Sequence, residues 1–275
     1  MNQSPSQTPL GRHSSRLARL RRIIQREEKD LTVVDGLKLA VELAKLGIPI
    51  VELYGEADAL AEIGAEPALQ RVLESGRAHL VDARTLTHLA PTRQTQGLLA
   101  VVACPSTPVR PDGVVIYLDR VQDPGNVGAV IRCAAAFGAS GVACSPGCAD
   151  PFSPRSVRAS GGQALLLLVE PNVNFAALAA RFIEARGQVA ATVGAGGTLL
   201  RNWKPRVPLL LAFGNEGQGL APEVVAACRI HVHVPLAGGV ESLNVAVTAG
   251  IVLASLVGLA GNPILKSGGS KGGPR

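Results

Sequence analysis

The second half of this 275-residue chain alternates short apolar segments with helical ones, and that alternation constrains the fold more than any other feature. Strands are predicted at 113–118, 141–144, 164–169, 188–193, 208–213 and 230–234. Helices are predicted at 126–137, 174–186 and 242–259. Because strands that alternate with helices form mostly parallel sheets covered on both faces, the sequence predicts an α/β domain over residues 112–260.

In open sheets of this type, ligands bind beyond the carboxyl ends of the strands, so the loops after Leu118, Phe213 and Val234 are the candidate sites. The first loop makes a tight Asp-Pro-Gly turn and then begins a helix, for which Asn126 is a candidate N-cap. Arg132 follows in an otherwise apolar stretch of that helix. A charge there indicates a partner or a functional role, although an exposed helix position would also accommodate it.

The second loop reads Gly214-Asn215-Glu216-Gly217-Gln218-Gly219. Its three glycines would let a ligand approach the backbone closely. The spacing matches neither a P-loop nor a dinucleotide-binding fingerprint, which excludes a nucleotide-dependent oxidoreductase of the usual kind. The carboxylate of Glu216 disfavours a phosphate ligand and suits a cationic one such as a sulfonium.

The third loop carries a glycine pair and then opens an apolar helix with Ser242 and Asn244. Ser242 alone could cap that helix, which would leave Asn244 incidental.

Together, the three loops resemble motifs 1, 2 and 3 of the SpoU/TrmH (SPOUT) family of RNA 2′-O-ribose methyltransferases. The segments that carry the resemblance are Asp-Pro-Gly-Asn-Val-Gly-Ala-Val-Ile-Arg from 123, Gly-Asn-Glu-Gly-Gln-Gly from 214 and Glu-Ser-Leu-Asn-Val-Ala-Val from 241. The chain departs from the family pattern at Cys133, Gln218 and Ser255, none of which is a catalytic position. The resemblance implies a C-terminal trefoil knot in a mostly parallel sheet, S-adenosylmethionine as cofactor, and a homodimer with its active site at the subunit interface.

The resemblance also implies roles for individual residues. Catalytic and substrate-positioning roles fall on Asn126, Arg132, Glu216, Ser242 and Asn244. Contacts with S-adenosylmethionine fall on Gly214, Val234, Leu236 and Leu243. A guanidinium with a pKa above about 12 is a poor proton acceptor, so we expect Arg132 to orient the ribose hydroxyl rather than to deprotonate it.

A smaller domain is predicted over residues 14–104, where the sequence resembles the family's L30e-like α/β substrate-binding domain more loosely. Its predicted elements are a helix from Ser14, a helix at 34–46, strands at 48–54, 78–81 and 98–103, and a short helix at 82–89. The domain boundary is predicted near residues 105–112. The polar residues 1–13 and the Gly- and Ser-rich residues 261–275 are predicted to be flexible tails.

Basic residues indicate where RNA would bind. The net charge is +6, and four of those six charges come from residues 12–30, where Arg16, Arg19 and Arg22 lie on a predicted amphipathic helix. Arg155 and Arg158, in a segment that also resembles a family loop near the substrate, are candidates for contact with RNA phosphates. A solvated helix and a solvated loop are the alternatives for these two sets. Aromatic residues make up only 3% of the chain, so recognition by base stacking is disfavoured.

Composition and motifs exclude several other classes. With 47% apolar and 17% charged residues, the chain is not mainly disordered. No segment predicts a membrane span or a signal peptide, which favours a cytoplasmic protein. The five cysteines are predicted to be reduced, and His231 and His233 lack a third ligand, so no metal site is expected.

The sequence thus favours a methyltransferase that acts on a ribose 2′-hydroxyl of structured RNA, with ribosomal RNA favoured over transfer RNA. A catalytically silent RNA-binding or ribosome-assembly factor on the same fold is the alternative.

Overall fold

A computed structural model describes residues 8–91, 95–238, 240 and 242–257. Contacts within the chain divide it into two compact units. The first unit comprises Met1–Pro105 and Phe152–Leu166, and the second comprises Ser106–Pro151 and Leu167–Arg275. The domain predicted over residues 112–260 includes residues 152–166, whereas their contacts group them with the first unit.

The elements follow in chain order. The first unit contains α1 (Ser15–Ile24), β1 (Leu31–Asp35), α2 (Leu37–Lys45), β2 (Ile50–Gly55), α3 (Ala57–Ile63), α4 (Pro67–Glu74), β3 (Ala78–Leu80), α5 (Ala83–Leu89), β4 (Leu98–Ala103) and, later in the chain, α7 (Pro154–Ala159). The second unit contains β5 (Val114–Leu118), α6 (Pro124–Ala136), β6 (Gly141–Cys144), β7 (Leu168–Glu170), α8 (Phe175–Glu184), β8 (Gln188–Thr192), β9 (Thr198–Leu199), β10 (Leu209–Phe213), α9 (Pro222–Ala227), β11 (Ile230–His233) and α10 (Val245–Val257).

The first unit is built on a four-stranded mixed sheet in the order β1-β4-β2-β3. Helix α1 begins where predicted, because the Ser14 hydroxyl accepts a hydrogen bond from the Arg16 backbone N–H. Its apolar face buries Leu17, Leu20 and Ile23 in a cluster with side chains of the sheet and α5. Burial of that face, rather than the arginines on the other faces, holds the helix in place.

The predicted helix at 34–46 was wrong at its start. Residues 31–35 form β1 instead, which pairs antiparallel with β4 and aligns Val33 with Val101. The β-branched Thr32, Val33 and Val34 are all buried, which favours a pleated strand over a helix turn. The Thr32 hydroxyl also donates to the Phe152 carbonyl at 2.6 Å, which attaches the segment 152–166 to this strand.

The second unit contains a seven-stranded sheet in the order β7-β6-β5-β10-β8-β11-β9. Every strand pair in it is parallel, which confirms the predicted α/β architecture. One core cluster joins the strands to α8 and α9, and α6 and α10 pack against each other. The carboxyl ends of β5, β8, β10 and β11 therefore lie at one edge of the sheet. The trefoil knot stays a prediction.

Among the described residues, no helix is both long enough and apolar enough to cross a bilayer.

Candidate active site

A cavity of about 390 Å³ lies at the carboxyl edge of the second unit's sheet. The ends of β8, β10 and β11 and the start of α10 surround it, as the position of ligands in open α/β sheets leads one to expect. Six of the residues singled out from the sequence line this cavity: Gly214, Glu216, Val234, Leu236, Ser242 and Leu243. All four residues expected to contact the cofactor are among them.

Gly214 is required by the loop itself. A Cβ atom at this position would collide with the backbone of Gly219 and Leu220. The loop closes on itself because Asn215 and Gly219 exchange backbone hydrogen bonds of 3.1 and 2.8 Å. The Asn215 side chain accepts further bonds from the backbone N–H groups of Gly217, at 2.8 Å, and Gln218, at 3.2 Å. The glycine therefore allows a tight loop that forms one wall of the cavity.

The loop after β5 braces the loop after β10. The carboxylate of Asp119, which is buried, accepts a hydrogen bond of 2.7 Å from the Ala221 backbone N–H. It also pairs with the guanidinium of Arg120 at 3.2 Å. The Arg120 carbonyl in turn accepts a bond of 2.9 Å from the side chain of Asn215. The two loops thus behave as one hydrogen-bonded unit.

A chain of hydrogen bonds joins one residue from each of the three predicted motifs. The Asn126 amide group donates to the carboxylate of Glu216, and its oxygen accepts from the Asn244 amide group at 3.0 Å. The Asn244 oxygen accepts from the backbone N–H groups of Ala246, at 2.9 Å, and Val247, at 3.3 Å. Because a carboxylate only accepts hydrogen bonds, it fixes the orientation of Asn126 and, through it, that of Asn244. The first turn of α10 is therefore linked to Glu216 at the cavity.

Neither of the two residues considered as helix caps, Asn126 and Ser242, has that role in the structure. Asp123, rather than Asn126, caps α6, since its carboxylate accepts from the Asn126 backbone N–H at 3.0 Å. Asn244, rather than Ser242, supplies the acceptor at the start of α10. The side chains of Asn126 and Ser242 are therefore not used for capping. Asn126 joins the three motifs, and Ser242 lines the cavity.

Arg132 does not line the cavity. Its side chain is exposed on α6, and among the described residues it makes no hydrogen bond or ion pair. The expected partner is therefore not found within the described part of this chain, and the exposed helix position considered for it is the one observed.

The predicted RNA-binding arginines all lie in the first unit. Arg155 and Arg158 are exposed on α7, a helix where the sequence predicted a loop. On α1, Arg16 is exposed. Arg19 pairs with Glu28 at 3.2 Å and Glu52 at 2.7 Å, and Arg22 pairs with Glu28 at 3.4 Å. The last two arginines are thus partly neutralised by neighbouring carboxylates.

Sequence reasoning missed the wall of the cavity that follows β8. Thr192, Val193 and Gly194 line it, and Thr248 lines it from α10. The signal was present: a glycine-rich stretch at 194–197 follows a correctly predicted strand, at the same sheet edge as the other loops.

A pair of cysteines lies beneath the loop after β5. The Cys148 sulfur accepts a bond of 3.3 Å from the Val121 backbone N–H. A hydrogen bond from the Cys144 thiol lowers the pKa of Cys148 to about 7, and the same interaction raises the pKa of Cys144. All five cysteines are free thiols.

The two histidines of β11 are His231 and His233, for which no metal site is predicted. The His231 ring contacts the Val225 carbonyl at 3.1 Å. Within the described ranges, no three His, Cys, Asp or Glu side chains are grouped as metal ligands.

Known proteins share this architecture. The chain is 34% identical, over 66% of its own length and 67% of the relative's, to an uncharacterised tRNA/rRNA methyltransferase of Synechocystis. An rRNA methyltransferase of Sinorhizobium meliloti, solved with S-adenosylmethionine bound, is 28% identical and covers 88% of this chain and 94% of its own, with a TM-score of 0.76. A solved RNA 2′-O-ribose methyltransferase is 25% identical and covers 89% of this chain and 96% of its own, with a TM-score of 0.71.

Residues 113–254, more than half of the chain, match the model of the SpoU rRNA Methylase family. The match begins at β5 and ends within α10, so it includes all three loops that form the hydrogen-bonded chain. This chain belongs to the SpoU rRNA methylase family.

Proposed function

We propose that this chain transfers a methyl group from S-adenosylmethionine to a ribose 2′-hydroxyl of ribosomal RNA. The observation that carries the proposal is the hydrogen-bonded chain Glu216–Asn126–Asn244, which ends at the cavity. Solved relatives that bind S-adenosylmethionine and methylate a ribose 2′-oxygen support the cofactor and the reaction. The family description and the Sinorhizobium relative both refer to rRNA, which supports that substrate over transfer RNA.

The residues of the cavity fit S-adenosylmethionine. A volume of about 390 Å³ falls within the range of cofactor pockets. Val234, Leu236 and Leu243 offer apolar surface for a purine ring, and the tight loop at Gly214 brings backbone groups to the wall. Glu216 places a carboxylate where a sulfonium would be stabilised. When bound, S-adenosylmethionine supplies a methyl group on a cationic sulfur, and the sulfur departs as a neutral thioether when the methyl is transferred.

Arg132 is proposed to bind the RNA next to the ribose 2′-hydroxyl, which is the nucleophile. An exposed guanidinium without a partner among the described residues is available to bind a phosphate oxygen and to orient the neighbouring 2′-hydroxyl. As the hydroxyl loses its proton to a phosphate oxygen or to water, the positive charge of Arg132 stabilises the developing negative charge on the ribose oxygen. Positioning supplies most of the expected rate enhancement, and the proposal involves no metal ion.

A homodimer is part of the proposal. Val247 and Ile251 lie one turn apart on α10, with 51% and 39% of their surface exposed. Exposed branched apolar side chains in a row are typical of a face that another protein covers. A second copy of the chain at α10 would also bring a partner close to α6, which packs against α10 and carries Arg132.

The first unit is proposed to contribute further contacts with RNA, through arginines of α1 and α7. Arg16 on α1 and Arg155 and Arg158 on α7 are exposed. Arg19 and Arg22 contribute less than Arg16 on the same helix, because they pair with carboxylates.

The test combines two measurements on the full chain. Transfer of labelled methyl from S-adenosylmethionine to deproteinised ribosomal RNA, followed by nuclease digestion, should yield 2′-O-methylated nucleosides. Arg132→Ala should reduce turnover at least about a hundredfold while cofactor affinity, measured by calorimetry, stays within a few fold. Methylation of a base instead of the ribose, or equal loss of cofactor binding in the variant, would contradict the assignment.

The alternative is a silent RNA-binding or ribosome-assembly factor. Failure of the full chain to bind S-adenosylmethionine in the calorimeter, together with intact RNA binding, would favour it.

A further inference from the structure

Four exposed arginines precede four adjacent strands of the second unit's sheet. Each lies a few residues before its strand: Arg110 before β5, Arg206 before β10, Arg186 before β8 and Arg229 before β11. These strands are neighbours in the order β5-β10-β8-β11 and run parallel, so their amino ends share one edge. With strands about 4.8 Å apart, the four starting points span about 14 Å. We call these residues the amino-edge arginines.

Contacts between the segments fix this edge. The Leu209 N–H donates to the Gly113 carbonyl, and the Gln188 N–H donates to the Pro208 carbonyl, both at 2.8 Å. The Gln188 side chain in turn accepts from the Arg206 backbone N–H at 2.8 Å. The segments before β5, β10 and β8 are therefore joined by hydrogen bonds, and β11, which follows Arg229, pairs with β8.

The charge at this edge is not neutralised within the described part of the chain. None of the four guanidinium groups makes a hydrogen bond or ion pair there. The carboxylates closest to them in sequence are Asp112, before β5, and Glu184, at the end of α8, and both are exposed. Four cations against two anions leave the edge positive. A guanidinium binds phosphate oxygens in a bidentate fork, so such an edge suits a phosphodiester backbone.

We propose that the amino-edge arginines bind the phosphate backbone of RNA, at the opposite edge of the sheet from the cavity. This inference rests on the proposed function, since it concerns the same RNA substrate. A five-residue strand separates the two edges by about 17 Å, before any loop is added. An RNA that meets both edges must extend past the side of the sheet. The substrate is therefore a folded RNA of some size, and not a short single strand that enters the cavity alone.

The test removes three of the charges in the variant R186Q/R206Q/R229Q. Filter binding of deproteinised bacterial ribosomal RNA at several salt concentrations should show affinity reduced about tenfold or more at low salt. The slope of log affinity against log salt should flatten by about two to three, because fewer counterions are released. Cofactor affinity by calorimetry should stay at the wild-type value, since the cavity lies at the other edge.

A matched control removes the same charge elsewhere. The variant K38Q/K45Q/R71Q changes three exposed cations on α2 and α4, none of which is among the arginines of α1 and α7 proposed to contact RNA. RNA affinity should change less than about twofold. Restoring charge in R186K/R206K/R229K should recover the salt slope and part of the affinity, because lysine supplies the charge without the bidentate geometry.

Three results would overturn the inference: an unchanged affinity and slope in the glutamine variant, an equal loss in the control, or no recovery with lysine. In each case the full chain would still bind and methylate RNA, so the proposed function would stand. If the wild-type chain neither bound RNA nor transferred methyl, the proposed function itself would fail and this inference with it.

Discussion

The Asn244 side chain both accepts and donates hydrogen bonds, and a single substitution can separate the two roles. Its oxygen caps α10, and its amide group donates to Asn126. In Asn244→Asp the oxygen acceptor is retained and the donor is lost. We expect the free energy of unfolding to stay within about 0.5 kcal/mol of wild type, because Asp caps helices as well as Asn. Methyl transfer should fall at least about tenfold, because Asn126 then faces acceptors on both sides and loses its fixed orientation.

Asn244→Ala is the companion variant, since it removes both groups. It should lose about 1 kcal/mol of stability in denaturant unfolding, in addition to the loss of transfer. Wild-type transfer by the aspartate variant would show that the link between Asn126 and Asn244 has no role in the reaction.

Cys148 should react as a thiolate near neutral pH. Its pKa is about 7 because the Cys144 thiol donates a hydrogen bond to it, and the thiolate is the reactive form. The rate of alkylation by iodoacetamide should therefore rise with pH to a half-maximum near pH 7. In Cys144→Ala the donor is absent, so the midpoint should move to higher pH. Identical midpoints in the two proteins would contradict this account.

The sequence identified the chemistry of the site better than its local geometry. Ser242 and Asn244 are equally good helix caps by residue type, so the choice depends on backbone angles that residue preferences do not specify. The wall at Thr192–Gly194 was missed because its residues are small and chemically plain, and only the topology brings that strand end to the cavity.

At the scale of the element, α10 gives the clearest test of oligomeric state. Val247→Asp with Ile251→Asp places two carboxylates on the exposed apolar face of this helix. We expect the double variant to elute as a monomer in size-exclusion chromatography with light scattering, because burying the new charges would be costly. Ile183→Asp on α8 is the control, with 57% of the side chain exposed, and it should remain dimeric. If the wild-type protein were monomeric at micromolar concentration, the proposed dimer would be contradicted.

Most strands of the second unit were predicted well because strands with long apolar runs leave little choice of structure. The strand predicted at 164–169 was wrong: residues 163–165 form a 3₁₀ turn, and β7 begins only at Leu168. Strand β6 was predicted at its observed bounds, and β8, β10 and β11 within a residue. Helix α7 was not predicted. Its Ser153 cap and Pro154 are a good start signal, but the helix has only six residues, and Val157 is its only large apolar residue after Pro154. Its position is determined by β1, which lies more than a hundred residues earlier, as the Thr32 to Phe152 bond shows.

At the scale of the whole molecule, the segment 152–166 should unfold with the first unit. Native-state hydrogen exchange in increasing denaturant should give the amides of α7 the same opening free energy as those of β1, since the two elements are in contact. Thr32→Val removes one bond between them and should lower the protection of α7 before that of β6. If α7 instead opened together with β6, the grouping by contacts would not describe the cooperative units.

Two separate segments of the chain form the first unit, and their order along the chain has a consequence for synthesis. The ribosome releases β1 early, but the residues that cover it, 152–166, emerge only after β5, α6 and β6 of the second unit. Domains usually fold as units while the N-terminal part emerges first. Here the first unit stays incomplete, with one side of β1 uncovered, until residues 152–166 have been made. For the same reason, no single cut in the gene transfers that unit intact to another protein.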